Sequence, residues 1–164
     1  MSVKIQVQMT EKYMSDFMFY HNYTRASGLI TLLAGALCIA RFVIQLLNGG
    51  GQATVWLICA IVFLVVNPYS IKNKAKAQVA NSPMFQKPLE YEISESGVMV
   101  RQEEQEGVSP WDAFTKVVGT RKCVLMYMGR MRAIILPKEC IGEQYESFVT
   151  IVKNCMPRKK VKIK

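Results

Sequence analysis

Acidic residues are missing from the whole stretch between Phe17 and Leu89. Aspartate is scarce throughout: Asp16 and Asp112 are the two in 164 residues, and His21 is the single histidine. Paired acids and bases for proton transfer are therefore hard to assemble. No nucleophile elbow, phosphate loop or H-E-x-x-H motif occurs. The five cysteines form no C-x-x-C pair. Cys38 and Cys59 lie in apolar runs, and Cys123, Cys140 and Cys155 sit among apolar neighbours, as reduced thiols acting as small hydrophobes do. Glu103, Glu104 and Glu106 cluster, but in a segment that reads as a solvated acidic turn. No catalytic residue, metal site or cofactor is expected, and the chain reads as a non-enzyme.

What the sequence does have is two long apolar runs. Residues 28–47 and 53–71 are each about 20 residues, the length a helix needs to cross the hydrocarbon core of a bilayer. Asn48-Gly49-Gly50-Gly51-Gln52 between them allows only a tight reversal. Residues 28–71 thus read as a transmembrane hairpin. Trp56 marks its outer boundary, and Asn67-Pro68-Tyr69 is expected to end its second span.

The formal net charge is +9. Lys4, Lys12 and Arg25 precede the first run, Lys72, Lys74 and Lys76 follow the second, and the connector carries no charge. Basic residues near span ends mark the cytoplasmic side. The expectation is a multi-pass protein of the inner (plasma) membrane with both termini cytoplasmic. Arg41, the one charge within a span, lies near the outer end and can extend to the headgroups. Ser27, Thr31 and Gly35 recur every four residues, and Ala36 with Ala40 repeats the spacing. Small residues at that spacing let helices approach closely, within the hairpin or in a homo-oligomer.

Before the hairpin, residues 1–27 hold two elements. Val3, Ile5, Val7 and Met9 alternate with polar residues, the pattern of a half-buried strand. Thr10 can cap a helix over residues 11–24, whose Tyr13, Phe17, Phe19, Tyr20 and Tyr23 fall all round it. Such rings suit a membrane interface, and packing on the soluble part is the alternative. Residues 72–87 read as a basic juxtamembrane linker, with residues 71–80 continuing the second span as a helix that Asn81-Ser82-Pro83 stops.

Residues 88–157 read as an antiparallel β domain. Strands are expected over 89–94, 98–102, 115–120, 123–128 and 131–136, with turns at Glu95-Ser96-Gly97, Arg121-Lys122 and Gly129-Arg130. Regular short strands of this kind curl into a sandwich or barrel. Ile141, Tyr145, Phe148, Val152 and Cys155 then form one apolar stripe on a helix over 139–156, placed to cap the sheet. Met99, Met126, Met128 and Met131 read as core fillers, and Trp111 as a core anchor with Asp112 bonding the turn. Residues 158–164 form a basic tail.

The order of parts resembles the YcxB-like family of bacterial membrane proteins. The resemblance rests on Tyr91–Gly97, on Ser109-Pro110-Trp111-Asp112 with Thr115-Lys116-Val117-Val118, on Tyr127, and on Ala133–Lys138 before the helix. It implies a pleckstrin-homology-like domain: a bent antiparallel sheet with a C-terminal helix over one end. Five or six strands are legible, and Ser2–Met9 is a candidate for one more. The resemblance brings no catalytic residues.

The overall expectation is a membrane α+β protein whose cytoplasmic domain binds a protein or peptide, as an adaptor, regulator or immunity-type protein. Strand edges and the groove beside the last helix are the natural docking surfaces. One alternative is a module for anionic lipid, using Lys72, Lys74, Lys76, Arg158, Lys159, Lys160, Lys162 and Lys164, each worth about 1 kcal/mol near an anionic surface. Another is an oligomeric scaffold or transporter subunit held by the small-residue face. Nucleic acid is not an expected partner, because no basic patch interleaved with aromatics occurs.

Overall fold

The computed structural model describes residues 2–129 and 132–163. The expected turn at Arg130, the strand start and core filler at Met131, and the lipid contact at Lys164 lie outside the described residues.

The elements follow in the order β1 (Ser2–Val7), α1 (Glu11–Tyr23), α2 (Ala26–Leu47), α3 (Ala53–Ile61), α4 (Asn67–Asn81) and α5 (Pro83–Gln86). Then come β2 (Leu89–Ser94), β3 (Gly97–Gln102), β4 (Gln105–Ser109), β5 (Lys116–Gly119), β6 (Cys123–Met128) and β7 (Arg132–Pro137). The chain continues with α6 (Lys138–Ile141), α7 (Tyr145–Cys155) and β8 (Val161–Lys162). Two compact units result: the residues up to Phe17 together with those from Gln78 onward, and Met18–Ala77. β1 and the first half of α1 are thus grouped with the strand domain.

The strand unit holds two four-stranded sheets, ordered β1-β2-β3-β4 and β7-β6-β5-β8. The alternation read in Ser2–Met9 has a direct outcome. β1 pairs antiparallel with β2, placing Val3 opposite Ile93, Ile5 opposite Tyr91 and Val7 opposite Leu89. All six of these side chains are buried. With Val124, Met126 and Leu136 of the second sheet and Phe148, Ile151 and Val152 of α7 they form one core. Residues at alternate positions of a strand face the same side, so the odd positions of β6 point away from that core.

Those odd positions, Cys123, Leu125 and Tyr127, are buried as well. α1 accounts for this. Its Phe17 ring lies 6.2 Å from Tyr127, and Met14 is buried. Asp16 accepts a hydrogen bond from the Thr120 hydroxyl. The Glu139 carboxylate accepts from the Tyr13 hydroxyl and, at 3.3 Å, from Lys12 Nζ. The first half of α1 is thus a layer of the strand unit, and of the two readings of this helix the structure gives packing to its N-terminal half. β6 reads as one unbroken apolar run because it is covered on both faces.

Three other expectations are corrected. The stretch 103–107 is not all turn: β4 begins at Gln105. Gln105 to Val108 are all exposed, so an edge strand here carries no alternation of buried and exposed residues. The helix read over 139–156 is broken at Gly142, whose φ of 54° is open to glycine at little cost. Residues 158–164 are not wholly a solvated tail, because β8 pairs parallel with β5, Val161 opposite Val117 and Lys162 opposite Val118. The helix runs on past Pro68 to Asn81, as the extension read over residues 71–80 requires. The helical run is continuous from Ala53 to Asn81, with a π-helical stretch at Val62–Val66. The Asn67 N–H reaches back to Val62 O, and this wider turn accommodates the proline ring.

In the second unit, α2 and the run Ala53–Asn81 are long and apolar enough to cross a membrane, with 11% and 6% of their apolar windows buried inside the protein. A helix pair at the core of a soluble domain would show the reverse. Gly35 meets the second helix: a Cβ on it would fall 2.5 Å from Leu64 Cδ2. Arg41 Cζ lies 5.4 Å from the centre of the Trp56 ring, a cation–π contact across the hairpin.

Candidate functional site

β4 ends the first sheet and β7 ends the second, and neither pairs with the other. Each sheet therefore offers a row of backbone N–H and C=O groups with no strand beside it. Between them opens a groove of about 1270 Å³, lined among others by Leu89, Tyr91, Val100, Gly107 and Ile134. The floor is apolar because Leu89, Tyr91, Val100 and Ile134 come from inward positions of β2, β3 and β7. Burial pushes the Tyr91 hydroxyl up to about 12. Gly107 sits at the groove's edge, and a Cβ there would meet nothing within 4 Å.

The lip of the groove is charged. Lys87 pairs with Glu103, and Glu106 accepts from Arg101 Nε at 2.6 Å. Glu104 is exposed in the turn before β4, and Val108 on β4 is 64% exposed. An apolar floor between two unpaired strand edges can take an extended chain. Docking at a strand edge was expected from the sequence, but not at this edge, because β4 lacked a strand pattern.

The residues expected to meet lipid divide between the units. Lys72, Lys74 and Lys76 lie exposed on α4 in the second unit. Arg158, Lys159, Lys160 and Lys162 lie exposed in the strand unit, the first three on a 3-10 turn. Among the described residues these four make no ion pair. Val161 and Ile163 between and beyond them pack on the core.

The expected helix-packing residues also separate. Gly35 is buried inside the hairpin, and Ala36 and Ala40 are exposed on its surface. The Thr31 hydroxyl donates to Ser27 O within α2 at 2.9 Å. Trp111 is half-buried, its indole N–H bonded to Ser94 O at 2.9 Å and its ring 5.9 Å from Phe114. The fully buried anchor of that turn is Phe114, whereas Asp112 is exposed. The five cysteines are all free thiols. Among the described residues no group of three or more His, Cys, Asp or Glu could hold a metal ion.

No curated protein matches the chain. Residues 93–152, which run from within β2 through β7 and into α7, match the family model of the YcxB-like proteins, the family that the sequence resembles.

Proposed function

We propose that the protein is a non-enzymatic integral membrane protein whose cytoplasmic domain docks an extended segment of a partner protein in the groove between β4 and β7. The observation that carries this is the pair of unpaired strand edges flanking an apolar floor. Backbone bonds to an edge supply affinity, and pockets for alternate side chains supply choice of partner. Four strands, then three antiparallel ones, then a helix are consistent with a pleckstrin-homology-like domain. The exposed apolar surface of α2 and of the run Ala53–Asn81 supports membrane insertion, and the flanking lysines support cytoplasmic ends. A photo-crosslinking residue at Val108, in the intact protein in its own membranes, tests the reading. One dominant protein adduct is expected, and adducts to lipid or to the chain itself alone would refute it.

A second reading has its own observation. Arg158, Lys159, Lys160 and Lys162 stand exposed together without acidic partners among the described residues. That suits the anionic headgroups of the cytoplasmic leaflet. In proteoliposomes at low salt, trypsin should cut 158–162 more slowly when the lipid is anionic than when it is zwitterionic. Equal rates would remove the lipid reading.

A further inference from the structure

The outer edge of β5 is already occupied, and by this chain. Val161 and Lys162 lie parallel to Val117 and Val118 and extend the second sheet by one short strand. The occupant is held by its apolar side chains. Val161 is half-buried against the core and Ile163 is buried in it. Lys162 between them is exposed. Arg158, Lys159, Lys160 and Lys162 make no ion pair among the described residues, so the charges of the segment do not fasten it. Ile163 lies over Gly119, where a Cβ would meet its Cα and Cγ2 at 3.6 Å, an ordinary contact. β5 has four residues and β8 two. The ladder therefore covers only Val117 and Val118, and parallel pairing is the less stable kind per residue.

We propose that this edge of β5 is a second strand-addition site, held in cis by residues 158–163, and that it accepts an extended partner segment with two apolar residues separated by one. The chain's own segment shows the chemistry the site takes: an apolar side chain facing the core, one residue facing solvent, and a second apolar side chain facing the core. A two-residue ladder with two anchors is a hold that a competing strand can replace. The cis segment competes at the effective concentration of a tethered ligand, on the order of millimolar. A partner that displaces it must bring a better ladder along Lys116–Gly119 or larger apolar anchors. This site is separate from the groove between β4 and β7 and does not depend on it.

The probe is a fluorescent synthetic peptide, Pro-Arg-Lys-Lys-Val-Lys-Ile-Lys, and a control peptide in which valine and isoleucine are serine. Anisotropy is measured with the detergent-solubilised full chain, with Ile163→Ser and with Lys162→Pro, each checked for folding by circular dichroism. The variants are expected to bind the probe at least tenfold more tightly than the parent chain, and the control peptide is expected not to bind. Equal affinity for parent and variants, or equal binding of the two peptides, would overturn the proposal. Equal binding of the peptides would mean that charge alone is recognised. Should both variants fail to fold, the parent chain still decides the matter. Excess probe should speed hydrogen exchange in 158–163, and an unchanged rate would refute displacement.

Discussion

Leu64 lies so close over Gly35 that a Cβ on residue 35 would sit 2.5 Å from its Cδ2. The glycine expected to serve contact between helices serves the hairpin's own. Gly35→Leu should therefore weaken the hairpin by roughly 1–3 kcal/mol, the usual cost of overpacking. Ala36→Leu, on the exposed surface, should change it by no more than about 0.5 kcal/mol. Unfolding in a graded series of detergent mixtures measures both. A loss of oligomer with Ala36→Leu while the hairpin stays intact would show that the outer face is used between copies.

Glu139 ties α6 to α1. The Tyr13 hydroxyl and Lys12 both bond its carboxylate and hold it below the usual carboxylate range. A carboxyl with a depressed folded pKa contributes stability that is present above its unfolded pKa and is lost as pH falls through the folded one. α1 should therefore loosen from the strand unit on acidification below about pH 4 to 5, the ordinary carboxylate range. Hydrogen exchange of residues 11–17 against pH follows it. Glu139→Gln should loosen the helix at neutral pH and flatten the pH dependence.

Burial, then the nearby Asp16, push the Cys123 thiol up to about 12. At pH 8 only about one thiol in 10⁴ would then be ionised. Iodoacetamide should leave Cys123 unmodified in the folded protein and label it fully in denaturant. Peptide mass spectrometry reads the result, and fast labelling of the folded form would show that α1 does not cover β6.

The indole of Trp111 bonds Ser94 O at 2.9 Å. Trp111→Phe keeps most of the ring area and loses the donor. A cost of about 1 kcal/mol is expected, measured by thermal unfolding. A cost near zero would mean that water replaces the indole at Ser94.

What could be read ahead of the structure follows from where side chains point. β1, β2 and the stripe on α7 each have one covered face, so their alternation or helical spacing stands out in the chain. The apolar runs of the hairpin stand out because, among the described residues, little of them is covered by the protein. β4 was illegible for the opposite reason: Gln105, Glu106, Gly107 and Val108 are exposed at an edge, and no burial imposes a pattern on them. The groove was lost with it. The docked half of α1 was half-legible, because its aromatic residues suit a membrane boundary and a domain core equally well. β8 was masked by its lysines, although Val161 and Ile163 alternate correctly around Lys162. The helix beyond Pro68 was legible in residues 71–80, whereas the widened turn at Val62–Val66 before the proline was not.

β1 and β2 are neighbours in one sheet, with Val3 against Ile93. The segment between them leaves one domain and returns to it, and hydrogen-bonded strands cannot pair through a bilayer. Any crossing made on the way out must be reversed before Leu89, so the crossings can only be even in number. The sheet thus enforces parity, independently of any bias in the placement of lysines. If the two apolar helices cross a bilayer, deleting one of them would strand β1 and β2 on opposite sides and cost the domain its first strand.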